Sequence, residues 1–582
     1  MNSHQVLRAA LGLALTASLA ACERTDHAVG KEIAAAVSSP KRPASLGGAR
    51  WTLVRQVYRD RGYAPVWTSD GKPNPRLRQF IVTLCGAERD GLRPGDYALA
   101  DLSRAVRLTY AGEKKPSAAA LATLDLELTA RFLDYGGDLL VGRLAPAAVD
   151  SGWFIRARRS SADSILRVAA QGRDFAGMLA PLRPHRADYD ELAKALETYR
   201  DIQRAGGWPK VPAGADLVRG RRGPGVAALR KRLQIGGDLV QSKDAKPVFN
   251  AAVAAAVARF QRRHGIPVDS TVSPATLLAL DTPVGYWIRQ IEINLERYRW
   301  LPPDFGNRYI LVNIPDYHLY AFDDGRRALD MRVIVGDQYG NATPVFADSM
   351  SYLVFRPRWY VPRRILVDEV LPQVRQNIFY LADNNFEVVD AKHRSTVLDP
   401  SSIDWAAVDT TKLTFRVRQR AGGSNSLGLV KFMFPNQFSV YLHDTPAGWL
   451  FQQQRRALSH GCVRVERPVE LADFVLAGQS GWNDSTIRAA MGSPDTMPFS
   501  TGPSSDTTEG RTVRLEHKVP VYILYLTAYV QDGVLNFRGD PYGKDAQAQA
   551  RLGAPKPEDG RLCRDVVDCI SGGKMRINDA RR

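Results

Sequence analysis

The chain reads as a multidomain α+β protein. Three observations carry that reading: a length of 582 residues, enough for several separate cores; a helical spacing of apolar residues between Trp51 and about Trp208; and a switch to alternating apolar residues from Asn307 onward. Apolar residues make up 45% of the chain and charged ones 24%, so no large part need be disordered. A formal net charge of +18 favours a polyanionic neighbour, and nucleic acid, anionic lipid and acidic cell-wall polymer all qualify.

The first residues narrow that choice. Arg8 precedes the apolar run Ala9–Leu15 and the small-residue stretch Thr16–Cys22, so residues 1–21 have the layout of a secretory signal too short to stay across a bilayer. Leu19-Ala20-Ala21-Cys22 resembles the lipobox of bacterial lipoproteins. That resemblance implies lipidation of Cys22 and anchoring in a membrane, with Glu23 in the next position pointing to the outer membrane. Cleavage after Ala20 or Ala21 without lipid is the alternative. The mature chain is then expected in the periplasm, where nucleic acid drops out as a partner. Residues 22–46 are rich in Ala, Ser, Pro and Lys and lack periodic apolar positions, which predicts a tether.

Residues 47–210 predict a helical scaffold domain. Leu124, Leu126, Leu128, Phe132, Leu133 and Leu139 surround Asp125 and Thr129, while Leu192, Leu196 and Tyr199 keep a three-to-four-residue spacing, and nothing there converges on chemistry. Residues 211–282 predict three short helices, one marked by Val226, Leu229, Leu233 and Ile235 and one by Val253, Val257 and Phe260. The third opens on an N-cap, Ser273, with Pro274 in its first turn. Arg219, Arg221, Arg222, Arg230, Lys231 and Arg232 either clasp acidic wall peptides or form a solvated face. A connecting helix is expected over 283–306.

Residues 307–480 are mainly β. Tyr309–Ile314 and Tyr317–Phe322 flank Pro315-Asp316 as a hairpin, and Met331–Val335, Leu413–Val417 and Phe438–Leu442 add strands. An insertion near 356–428, with Pro357, Pro362 and the helix-like Asp368–Val374, is long enough to form a lid. Glu470–Leu476 reads as a closing helix. Residues 481–540 are expected to pack on this domain through Val519–Tyr525, and 541–582 form a tail with no assigned role.

The chemistry concentrates in Ser459-His460-Gly461-Cys462-Val463-Arg464, with His443-Asp444 ahead of it. A thiol becomes a strong nucleophile when a neighbouring imidazole takes its proton, and Gly461 lets the backbone approach a substrate and aim N–H groups at an oxyanion. Spacing favours neither His443 nor His460 as the base. Arg464 offers a planar fork of donors suited to a carboxylate. Of five cysteines, Cys563 and Cys569 lie close enough for a local disulfide, Cys85 reads as a buried structural thiol, and Cys462 is left over for function. No CxxC or HExxH spacing occurs, so neither a metal site nor a cofactor is expected.

Two resemblances give these residues a context. Gly225–Arg230 and Ala256–Ile266, with Phe260 and Gln261, resemble the peptidoglycan-binding type 1 domain, except that Ser270 stands where many relatives have glycine after the aspartate. Residues 307–480 resemble the YkuD-type L,D-transpeptidase domain, whose signature is a histidine followed by Ser/Thr-His-Gly-Cys. Asn294–Pro302, Asn425–Gly428, Lys431–Asn436 and Tyr441–Pro446 extend the likeness to the large YcbB-like murein enzymes. That resemblance implies a mainly β catalytic domain with a lid, acting on peptidoglycan stem peptides. Cys462 would be acylated through diaminopimelate of a tetrapeptide stem, with release of D-alanine and transfer to an amine, and carbapenems would inhibit. It assigns Cys462 as nucleophile and His443 as base, with the Asp444 carbonyl fixing the imidazole tautomer and His460 shaping the loop. Backbone N–H groups of residues 460–462 would supply the oxyanion hole, Ser459 would bond locally, and Arg464, Tyr441 and Trp359 would line the substrate cleft. Two alternatives stay open: an L,D-carboxypeptidase that hydrolyses the same acyl-enzyme, and a non-catalytic peptidoglycan-binding lipoprotein.

Overall fold

A computed structural model of the chain describes residues 25–41, 48–110, 115–155, 162–214, 217–240, 246–492 and 510–553. Residues 1–21, expected as a signal, and Cys22, Cys563 and Cys569 lie outside the described residues.

The helical domain begins earlier than expected. Residues 25–38 are helical, and Val29, Ile33 and Val37, spaced by four, bury completely in the domain's core. The tether expectation fails there because three apolar residues in an Ala-rich segment suffice for one buried stripe. At the centre of the domain, helix Ala118–Val141 carries Asp125 fully buried. Its carboxylate accepts the Val66 and Trp67 N–H groups at 2.7 and 3.0 Å and the Tyr58 hydroxyl at 2.6 Å, which explains a polar residue among leucines. Cys85 closes helix Pro75–Cys85 and is disulfide-bonded, not the free buried thiol expected.

Helix Ala187–Arg204 falls within the span expected as scaffold, yet Leu192, Leu196 and Tyr199 bury in the core of the β domain, beside helix Val284–Arg299. That second helix is bonded to three neighbours. Arg299 pairs with Glu296 at 2.9 Å and donates to the Asp90 carbonyl, Arg297 pairs with Asp545 at 2.5 Å, and Asn294 donates to Thr527 Oγ1 at 2.8 Å. The motif Asn294–Pro302 therefore joins domains. Asp545 sits in helix Lys544–Leu552, so the start of the C-terminal tail is structural.

The three-helix module consists of Pro224–Ile235, Ala251–Arg263 and Pro274–Asp281 around its own core, with Ser273 Oγ accepting the Thr276 N–H at 3.2 Å. The buried Gln261 side chain accepts from the N–H groups of Asp269 and Ser270 and donates to Thr276 Oγ1 at 3.1 Å. Ser270 adopts φ of 62°, so the turn keeps the left-handed geometry that glycine prefers. Arg230 and Arg232 are buried, Arg232 lying 3.6 Å from the centre of the Trp208 ring, so only Arg219, Arg221, Arg222 and Lys231 of the basic cluster face solvent.

The β domain contains nine strands: β1 (Arg308–Asn313), β2 (His318–Asp323), β3 (Arg326–Gly336), β4 (Phe346–Phe355), β5 (Val430–Met433), β6 (Leu442–His443), β7 (Ala457–Ser459), β8 (Val463–Val465) and β9 (Thr512–Leu524). Their order is β7-β3-β8-β6-β5-β4-β9-β1-β2. β3 also pairs with β2, which closes a ring of strands and removes its free edges. β9 lies between β4 and β1, so the C-terminal segment completes the barrel where packing on its outside was expected.

Between β4 and β5 the insertion folds as a lid with its own four-stranded sheet and apolar core. The strand expected over Leu413–Val417 forms at Phe415–Gln419 and pairs within the lid with Phe386–Asp390, because alternation marks a strand without naming its partner. The lid's two ends meet at buried Asn425, whose amide donates to the carbonyls of Pro357 at 3.1 Å and Arg420 at 2.7 Å.

Candidate active site

Strand pairing assembles the site. Lys431 on β5 pairs with His443 on β6, and His443 pairs with Arg464 on β8, so the three stand in one cross-strand row. Side chains alternate along a strand, which puts Tyr441 beside His443 and Cys462 beside Arg464 on the same face. The opposite face, Phe432, Leu442, Val463 and Val465, is buried in the barrel core and fixes the register.

The Cys462 thiol contacts the Ser439 carbonyl at 3.6 Å and hydrogen-bonds the Tyr441 side chain. Among the described residues no hydrogen bond joins it to His443. His443 Nδ1 donates to the Asp444 carbonyl at 2.6 Å, which leaves Nε2 with its lone pair in the neutral ring. The Asp444 carboxylate accepts the Leu429 and Thr445 N–H groups at 2.8 and 2.7 Å, tying the end of the lid to this strand.

Burial, with the charges of Arg464 and Lys431 beside it, holds the His443 imidazole down to about 3, against the pull of the Asp444 and Leu427 carbonyls. Burial also raises the Cys462 thiol, opposed by the Tyr441 hydrogen bonds and the charges of Arg464 and Lys431. The resting pair is a neutral thiol and a neutral imidazole.

A second set of bonds fixes the loop before the cysteine. Gly461 has φ of 112°, open only to glycine at little cost. Its carbonyl accepts the hydroxyl of fully buried Thr343 at 2.8 Å, and Thr343 Oγ1 in turn accepts the Gly336 N–H at 2.8 Å. Because a trans peptide sets C=O and N–H in opposite directions, the Cys462 N–H points away from Thr343. The Gly461 N–H is already committed to Ser459 Oγ at 3.2 Å, and the Ser459 hydroxyl donates to the Cys462 carbonyl at 2.5 Å. Of the oxyanion donors expected at 460–462, Gly461 is therefore turned inward.

Comparison with known proteins fits this geometry. Residues 307–488 match the family model described as the L,D-transpeptidase catalytic domain, YkuD. The matched span begins just before the barrel's first strand and takes in the Cys462 face. Residues 222–280 match the "Putative peptidoglycan binding domain" model, and 52–196 match the model of a scaffold domain. A protein of Haemophilus influenzae named "Putative L,D-transpeptidase" is 37% identical over 259 residues, or 44% of this chain. The match spans about half of that relative, 48% of its length. An L,D-transpeptidase from Xylanimonas cellulosilytica is 18% identical over 54% of this chain and 99% of its own, with a TM-score of 0.17. One from Stackebrandtia nassauensis is 15% identical over 46% and 90%, with a TM-score of 0.20. Neither structural overlap is close enough to bear on the fold.

Two residues expected at the site lie off the Cys462 face. His460 is solvent-facing, and its Nε2 meets Glu369 of the lid at 2.5 Å, so it latches lid to loop. Trp359 opens the lid's first strand and packs toward Phe386, ring centres 6.3 Å apart. Sequence reading missed Thr343, more than a hundred residues upstream of Cys462, and gave no role to Lys431, whose importance rests on strand pairing alone.

Proposed function

We propose that the protein is a periplasmic L,D-transpeptidase that forms 3-3 peptidoglycan cross-links through an acyl-enzyme at Cys462. The observation that carries this reading is the shared face of Cys462, His443, Tyr441 and Arg464, with Gly461 locked behind them by Thr343. Rotation of the thiol from the Ser439 carbonyl toward His443 precedes attack, since catalytic hydrogen bonds often tighten only when substrate is bound. The Cys462 proton passes to His443 Nε2 as sulfur bonds the diaminopimelate carbonyl of a tetrapeptide stem. The oxyanion draws on the outward Cys462 N–H. Collapse breaks the bond to D-alanine, whose amine takes the proton back. The side-chain amine of a second stem then attacks the thioester and frees the thiol. The three-helix module would hold the polymer, and a lipid at Cys22 would keep the enzyme at the outer membrane.

Intact-mass analysis with tetrapeptide muropeptides tests this reading. A Cys462 adduct together with cross-linked dimers is expected, and Cys462→Ala should lose both. An adduct that yields only shortened stems would make the protein an L,D-carboxypeptidase. Absence of adduct and product would leave a peptidoglycan-binding lipoprotein. Carbapenem should acylate the same residue.

A further inference from the structure

We infer that Lys431 and Arg464 form a carboxylate-binding site across His443, which takes a carboxylate of the donor stem next to the carbonyl that Cys462 attacks. The inference rests on the transpeptidase reading above. Its ground is an unmet charge requirement. Lys431, mostly withdrawn from water, lies with its ammonium 5.8 Å from the centre of the Tyr441 ring. Among the described residues it has no hydrogen bond and no carboxylate partner. Among the described residues the buried Arg464 Nε has no partner and no acid pairs with the guanidinium.

Nearby acids are spoken for. Asp444 spends its carboxylate on two backbone N–H groups, and Glu369 is held by His460. Two cations without an anion on a half-buried face are costly to leave unpaired. Among the described residues the group that would favour both charges is the Cys462 sulfur once ionised, and while that thiol is neutral a ligand carboxylate is the natural counter-charge.

Spacing selects the ligand. Neighbouring strands are about 4.8 Å apart, so both cations stand one strand from His443, and Arg464 is two residues along the chain from Cys462. A carboxylate reaching both must be borne within about one residue of the scissile carbonyl, since an extended peptide advances about 3.3 Å per residue. On the two residues that flank the scissile bond, a tetrapeptide stem carries the terminal carboxylate of the leaving D-alanine and the side-chain carboxylate of diaminopimelate.

Occupancy would also act on the base. The same two cations oppose protonation of His443 in the empty site. A carboxylate between them cancels that opposition, so His443 gains proton affinity when a donor is seated. Lys431 is thus a positioning residue for substrate and, through the field at His443, for the base.

The test uses a synthetic tetrapeptide stem, its C-terminal amide and its diaminopimelate side-chain amide. Binding is measured by calorimetry in the full-length Cys462→Ala protein, and adduct formation in the active protein. The acid stem should bind at least about tenfold more tightly than one of the two amides, which identifies the carboxylate. Lys431→Met in the same background should erase that preference, and Lys431→Arg should restore most of it. Equal binding of all three stems overturns the inference, as does a Lys431→Met loss that is the same for acid and amide. An acid preference without adduct formation would sink the transpeptidase reading and keep the site. Adduct formation without any preference would do the reverse.

Discussion

The His443 proton affinity is the most exposed quantity in this mechanism. Arg464 and Lys431 face the ring from β8 and β5, and the Asp444 and Leu427 carbonyls face it from its own strand and from the end of the lid. The net effect takes the imidazole from 6.5 to about 3, a difference worth roughly 5 kcal/mol at about 1.36 kcal/mol per pH unit. An ordinary imidazole with a pKa near 6.5 is only about 3% neutral at pH 5, so a reaction that needs the free base would slow about 25-fold between pH 7 and pH 5. With His443 near 3 the base stays almost wholly neutral at pH 5. The efficiency of Cys462 acylation, kcat/KM, reports the free enzyme and should therefore change less than about twofold over that interval.

Stability gives an independent reading of the same group. The unfolded imidazole takes up a proton below about pH 6.5, while the folded one refuses it until about 3, so native stability is present above 6.5 and lost progressively as pH falls toward 3. At pH 5 this amounts to roughly 2 kcal/mol. His443→Gln removes the group, so its denaturation free energy should fall less than that of the natural protein between pH 7.5 and 5, by that margin. An acylation limb with its midpoint near 6.5, together with equal acid sensitivity of the two proteins, would refute the reasoning.

Other expectations concern the supports of the site. Thr343→Val leaves the Gly336 N–H and Gly461 carbonyl bare, at about 1–3 kcal/mol each, and should slow acylation at least tenfold; denaturant titration and adduct kinetics check the two effects separately. Glu369→Gln breaks a latch whose partners are 52% and 41% exposed, so hydrogen exchange in the lid helices should rise by no more than about fivefold, the limit set by about 1 kcal/mol for such a pair. Alkylation of unreduced protein followed by peptide mapping should leave Cys85 unmodified and label Cys462; a freely alkylated Cys85 in unreduced protein would count against the disulfide.

What could be read in the sequence was what lies in line. Ser459 to Arg464 is a continuous run, and His443 closes a short strand, so the main reactive groups were visible without a fold. Lys431 sat in a quoted motif but meets His443 only through the β5–β6 register. Thr343 serves Gly461 from a turn whose position no local pattern encodes. The alternation in Val519–Tyr525 predicted a strand, yet its insertion between β4 and β1 is a long-range pairing. Arg232 shows the converse case, where a charge in a basic run is a core residue because its guanidinium lies on Trp208 and its Nε donates to the Leu280 carbonyl at 2.8 Å.

The lid leaves the barrel at Phe355 and returns at Val430, two residues that face each other across neighbouring strands. Those are the positions an ordinary hairpin turn would join, and each doubling of a loop adds only about 0.6 kcal/mol to the cost of closure. The chain can therefore lengthen, shorten or replace this segment without touching a strand that carries the thiol, the imidazole or the guanidinium. Variation in the cover is thereby confined to one contiguous stretch of chain, provided its return end keeps the Leu427 carbonyl at His443 and the Leu429 N–H on Asp444.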